Sequence, residues 1–113
     1  MARATFFFVF NSVRAIVNIM DILFTSQVFR ERNTYVAYAP ELDISSCGLT
    51  RNKAEKNLME AVRLFLEEAE NMGTLEQILE ESGFVKRKSR LEGPKVISID
   101  RVSLSLPAAH AKA

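Results

Sequence analysis

Four carboxylates stand on or beside segments of strand composition: Asp21, Glu41, Asp43 and Asp100. Acids carried on neighbouring strands are what metal-assisted nuclease chemistry needs, because several oxygens must converge on one or two ions. Here Glu41 and Asp43 flank the turn beside Pro40, where ordinary turn chemistry and solvation account for them. Cys47 is the only cysteine, so neither an intrachain disulfide nor a cysteine-based zinc site can form. Lying between Ser46 and Gly48 with no general base in view, it reads as a small strand residue rather than a nucleophile. His110, the only histidine, sits in an Ala-rich tail, and the chain has no Gly-rich phosphate loop and no Ser-His-Asp set. No catalytic residue, metal or cofactor is expected, and function is sought in surfaces offered to a partner.

Charge supports that direction. Fifteen Lys and Arg against fourteen Asp and Glu leave a formal charge of +1, which argues against a strongly basic nucleic-acid binder. The even total hides two poles. From Glu60 to Glu81 there are seven carboxylates (Glu60, Glu67, Glu68, Glu70, Glu76, Glu80 and Glu81) and one arginine, followed at once by Lys86, Arg87, Lys88 and Arg90. The glutamates Glu60, Glu67 and Glu70 are candidates for steering a basic partner, and they equally suit the simpler task of keeping a helix soluble. The four cations could contact phosphate, although no aromatic residue is interleaved for base stacking. A lone cysteine in an otherwise disulfide-free chain fits a reducing cytoplasm.

The elements that must position these groups follow from periodicity. Ile22 to Phe29 is rich in β-branched and aromatic residues, Arg30 to Asn33 has the composition of a hairpin loop, and Thr34 to Ala39 makes the return strand. In that return strand Tyr35, Ala37 and Ala39 point one way, Val36 and Tyr38 the other, so both faces want cover: a helix on one side and a partner on the other. The apolar face around Tyr35, Val36 and Tyr38 would supply buried anchors, tyrosine being enriched at interface hot spots.

Pro40 ends that strand, Asp43 to Cys47 forms a third, and Gly48 permits the turn into a helix capped by Thr50. Ala54, Leu58, Ala61, Val62, Phe65 and Ala69 then fall at helical spacing on a helix of about 20 residues that Gly73 terminates. Thr74 with Gln77 has the capping-box pattern for a short helix using Leu75, Ile78 and Leu79, after which Phe84 anchors the chain to the core. Lys95 to Leu106 reads as a final, bulged strand. The expected fold class is α+β: a small antiparallel sheet of three N-terminal strands plus a C-terminal strand, covered by one long and one short helix.

Residues 1–19 differ in composition, with Arg3, Arg14, no acid and four of the eight phenylalanines. Asn11, Ser12 and Arg14 interrupt the apolar run too often for a signal peptide or a membrane span. The segment reads as an upstream extension ahead of a natural start at Met20. A single domain over 20–106 and a frayed tail over 107–113 complete the organisation.

Taken in order, Tyr35-Val36-Ala37-Tyr38-Ala39-Pro40-Glu41-Leu42, then Gly48, Thr50 and Ala54, then Asn57-Leu58 and Ala61-Val62, resemble the N-terminal domain of HicB-type antitoxins. The likeness runs from about Met20 to Phe84. It implies a partial ribonuclease H-like arrangement without the catalytic carboxylates, and a non-enzymatic antitoxin that binds and occludes a small, basic, RNA-cleaving HicA-type toxin. Asn52 and Lys53 depart from the acids the family commonly carries after the helix-opening Thr. Many members append a ribbon-helix-helix or helix-turn-helix module. No such module is visible after the final strand, so DNA binding is not expected. Open sheet edges lead to the expectation of a homo-oligomer, dimer or tetramer. The alternative, from another class, is a stand-alone homo-oligomeric binding module contacting nucleic acid through Lys86, Arg87, Lys88 and Arg90.

Overall fold

Alternation in Thr34–Ala39 decides the architecture. In the computed structural model, which describes residues 20–108, Ala37 and Ala39 are fully buried while the alternating Val36 and Tyr38 stay half-buried on the other face. This strand (β3) is the centre of an antiparallel meander between β2 (Gln27–Glu31) and β4 (Ile44–Gly48). Val28 and Phe29 stand opposite Ala37 and Val36, and Ile44 opposite Ala39.

The long helix α1 (Arg51–Met72) lies on the Ala37/Ala39 face and buries Ala54, Leu58, Val62 and Ala69. Its start is held as the sequence leads one to expect: the Thr50 hydroxyl accepts from the Lys53 N–H at 3.1 Å. The Asn57 amide also donates to the Cys47 carbonyl at 2.8 Å, fastening the helix to β4. Small residues let the two elements approach so closely that a Cβ on Gly48 would stand 2.7 Å from the Ala54 backbone nitrogen. Gly73 ends the helix in the left-handed region at φ 78°, and its N–H and that of Thr74 return to the Glu70 and Ala69 carbonyls in a Schellman arrangement.

The second sheet is built from β1 (Asp21–Leu23), β5 (Val85–Arg87) and β6 (Arg90–Glu92), with β6 central, parallel to β1 and antiparallel to β5. After α1 comes α2 (Leu75–Glu81), which closes on Gly83 (φ 83°) with the Phe84 N–H bonded to the Leu79 carbonyl. Leu79, Phe84 and Leu91 form a second buried cluster. Phe24, Leu42 and Leu66 touch both clusters and join them.

Several expectations are corrected. The fold is α+β, but with two three-stranded sheets rather than one, and with a parallel pair. Ile22 to Phe29 is not one strand: the Thr25 N–H leaves the ladder for the Glu41 carboxylate (3.0 and 3.1 Å), and the Thr25 hydroxyl donates to the same group at 2.7 Å, which breaks the run into β1 and β2. Glu41 is thus a seam between distant segments, not a solvated turn residue. The hairpin loop shrinks to Arg32 and Asn33, Arg32 taking φ 57°. Asp43 belongs to the turn before β4, with φ 55°.

Thr74 makes no capping box, because its backbone is already part of the α1 terminus and its hydroxyl turns back to the Ala69 carbonyl at 3.3 Å; the Gln77 amide instead reaches Glu81. Phe65 stays partly exposed, and Leu66 packs on the core in its place. The expected strand Lys95 to Leu106 forms no ladder among the described residues; the chain leaves the body at Gly93 and Pro94, and its role in the sheet is taken by β6. The 1–19 extension and the tail beyond 108 lie outside the described residues.

Two substitutions separate steric from conformational control of glycine. Gly48→Ala drives a methyl into α1 backbone and is expected to cost about 1–3 kcal/mol by overpacking, whereas Gly73→Ala, whose Cβ meets nothing within 4 Å, is expected to cost about 1 kcal/mol from its left-handed backbone alone. Urea denaturation midpoints of the two variants measure the difference. Glu41→Ala removes a carboxylate that accepts two donors of Thr25, and a loss of roughly 1.5–3 kcal/mol is expected in the same assay.

Candidate interaction surface

The register of the meander assembles one continuous outward face. Phe29, Val36 and Cys47 lie in a row across the three strands, and Gln27, Tyr38 and Ser45 in the next. Cross-strand neighbours on one face sit within side-chain contact distance, so Phe29 and Val36 form an apolar centre with Tyr38 beside it. Phe29 is about half exposed at 49% and Cys47 is exposed. Phe29 escapes a reading of the sequence alone because its place in the row depends on the two-residue turn at Arg32 and Asn33, which fixes the pairing.

Tyr38 is oriented rather than free. Its hydroxyl donates to the Asp43 carboxylate at 2.9 Å across the β3–β4 turn. That hydrogen bond is the main reason the phenol ionises above the ordinary tyrosine range; partial desolvation and the nearby negative charge act in the same direction. An aromatic ring fixed in this way loses less rotamer freedom on meeting a partner.

The structure separates other candidates that the sequence grouped together. Tyr35 faces α1, half-buried against the first cluster, with the Arg30 guanidinium 6.0 Å from its ring centroid. It is therefore not part of the Val36/Tyr38 face. Glu60 and Glu67 are exposed on α1, and Glu60 is paired with Arg63 at 3.2 Å; Glu70 is half-buried. Since α1 covers the Ala37/Ala39 side, its solvent side points away from the Val36/Tyr38 side. Acidic helix and apolar sheet face stand on opposite sides of one layer.

The basic residues form the β5–β6 hairpin, with Lys88 at its turn in φ 56°. Glu92 pairs with both Arg87 (3.5 Å) and Arg90 (3.6 Å). Among the described residues no carboxylate pairs with Lys86 or Lys88. The strand-associated acids are likewise dispersed: Asp21 opposite Arg90 in β1, Glu41 on Thr25, Asp43 on Tyr38, and Asp100 on the segment beyond Pro94. Among the described residues no group of three or more His, Cys, Asp or Glu is placed to hold a metal ion, and no helix is long and apolar enough to cross a membrane. No family model, curated protein or solved structure matches the chain.

Asp43→Ala removes the acceptor that restrains the Tyr38 proton. Spectrophotometric titration is expected to show the Tyr38 phenol ionising at lower pH in the variant. Because the folded-state value is raised, the stabilisation is present below the unfolded value and disappears as pH rises through the folded one. Coincident titration curves for the parent and the variant would show that the bond does not form.

Proposed function

We propose that this chain is a HicB-type antitoxin, a non-enzymatic cytoplasmic protein that occludes a small, basic, RNA-cleaving HicA-type toxin. The observation that carries the reading is the one-sided cover of the meander. One face is closed by α1, while the other presents Phe29, Val36 and an oriented Tyr38. An aromatic and aliphatic centre bordered by polar groups is the anatomy of a protein-binding patch. The ordered likeness of Tyr35 to Leu42, Gly48, Thr50, Ala54 and Asn57-Leu58 to the antitoxin domain gives that patch its partner, and the partial ribonuclease H-like relationship belongs to the same reading.

The opposed faces assign different tasks to the two sets of candidates. Contacts come from Phe29, Val36 and Tyr38, and Glu60, Glu67 and Glu70 act at a distance through their field. The basic hairpin is a weaker ground for nucleic-acid binding, since Glu92 occupies two of its four cations.

Co-expression with the protein encoded beside it, followed by pull-down and a growth assay, tests the reading. A stable complex that relieves toxicity is expected. No complex and no toxicity would overturn it, and RNA and DNA titrations of the protein alone would then examine the hairpin. Within a complex, Tyr38→Ala is expected to raise the dissociation rate by about 10-fold or more, as loss of an interface anchor does. The combined Glu60→Lys, Glu67→Lys and Glu70→Lys change is expected to slow association and alter its salt dependence while leaving dissociation nearly unchanged. Equal association rates in surface plasmon resonance would remove the helix from the mechanism.

A further inference from the structure

Beyond the Gly93–Pro94 bend the chain extends as an arm over residues 95–106. At its base the Gly93 N–H donates to the Leu23 carbonyl at 2.9 Å, and Val96 lies in a groove with Phe24 and Glu41. Past that point the arm presents Ile97, Ile99, Val102, Leu104 and Leu106 at 61–87% exposure, with Val96 at 44%. Its composition is that of a strand, with Val102, Leu104 and Leu106 alternating against Ser103 and Ser105, yet no ladder partner stands beside it among the described residues. A strand sequence without a ladder exposes both its backbone groups and its apolar side chains, and both find partners when it adds to a sheet edge.

The available edges are not equivalent. β1 and β5 are three residues long, and β5 carries Lys86 and Arg87, which guard an edge against addition. β4 offers Ser45, Ser46 and Gly48, with little to pack against. β2 has five residues, pairs among the described residues only with β3, and carries Val28 and Phe29; its start lies just past Thr25, which lines the groove at the base of the arm.

We propose that two copies of this chain exchange their arms, Val102 to Leu106 of each adding as a fourth strand to the open β2 edge of the other copy's meander. Each copy supplies one arm and one edge, so the contact is reciprocal and closes as a two-fold dimer instead of propagating. A bulge at Asp100 and Arg101 brings Ile97 and Ile99 to the same face as Val102, Leu104 and Leu106. Five aliphatic side chains correspond to roughly 350 Å² of apolar area per arm, and two arms with the surfaces that receive them reach roughly 1,400 Å², within the range of a stable specific interface. The inference stands independently of the toxin partner, since arm and edge are both present on the chain itself.

Sedimentation velocity of the full chain, the combined variant Ile97→Glu, Val102→Glu and Leu104→Glu, and the edge variant Phe29→Glu tests the exchange. The parent is expected to be a dimer. Each variant is expected to be monomeric with unchanged far-UV circular dichroism, its dimer dissociation constant raised about 100-fold or more, as loss of several buried aliphatic contacts requires. Mixing the two variants leaves one intact arm and one intact edge, half of the interface, so a heterodimer weaker than the parent dimer is expected at raised concentration. A monomeric parent or a dimeric arm variant would each overturn the proposal.

Discussion

The Glu41 carboxylate holds the fold at its weakest geometric point. It accepts both the backbone N–H and the hydroxyl of Thr25, sixteen residues away in sequence. Without that acceptor the Thr25 N–H would have no reason to leave the β-ladder, and the first apolar run would continue as one strand in one sheet. With it, the chain bends between β1 and β2 and two sheets result. The neighbours of the two bonded residues complete the effect: Phe24 precedes Thr25, Leu42 follows Glu41, and both side chains pack into both apolar clusters. A charge-assisted hydrogen bond in a partly buried site therefore aligns the two residues that join the cores. Gly93 belongs to the same seam, since a Cβ there would press on Glu41 and on the Phe84 ring at 3.1–3.2 Å.

That seam sets the orientation of everything functional. It fixes where the meander begins, and the two-residue turn at Arg32 and Asn33 then fixes which residues face α1. Register has a period of two, so a slip of one residue would turn Val36 and Tyr38 inward and Ala37 outward. The close helix–sheet approach allowed by Gly48 and Ala54 gives this register its energetic penalty for error, because bulkier side chains do not fit beneath α1. The open face is thus the remainder left after the helix has selected its own side.

Local signals in the sequence located most of the elements. Thr50 and Gly73 mark the ends of α1 because capping acts over one turn, and the alternation of β3 separates its two faces because side-chain direction is a backbone property. The readings that fail depend on distant partners. Nothing near Thr25 announces that its N–H will meet Glu41, and the Thr74-Gln77 pattern is correct chemistry displaced by the end of the preceding helix. For the candidate surface, Val36 and Tyr38 were legible from alternation, while Phe29 needed the register and Tyr35 needed the position of α1. The acidic set was legible as charge, but its position opposite the open face is a property of layer order that composition does not contain.

The distribution of apolar groups ties these observations together. Among the described residues nine hydrophobic ones are buried, four of them alanines, and only Leu58 and Leu79 are large and fully enclosed. Against this, Phe29 and the aliphatic residues of the 95–106 arm remain in water. Burial stabilises roughly in proportion to apolar area, about 25 cal/mol per Å², so alanines packed under a close helix contribute position more than energy. A small domain with so thin an interior gains more from covering its exposed groups than from any change inside it. The arm and the open face are two such reserves. The two meet at Phe29, which stands on the open face and on the β2 edge, and association on either surface stabilises the body that presents the other.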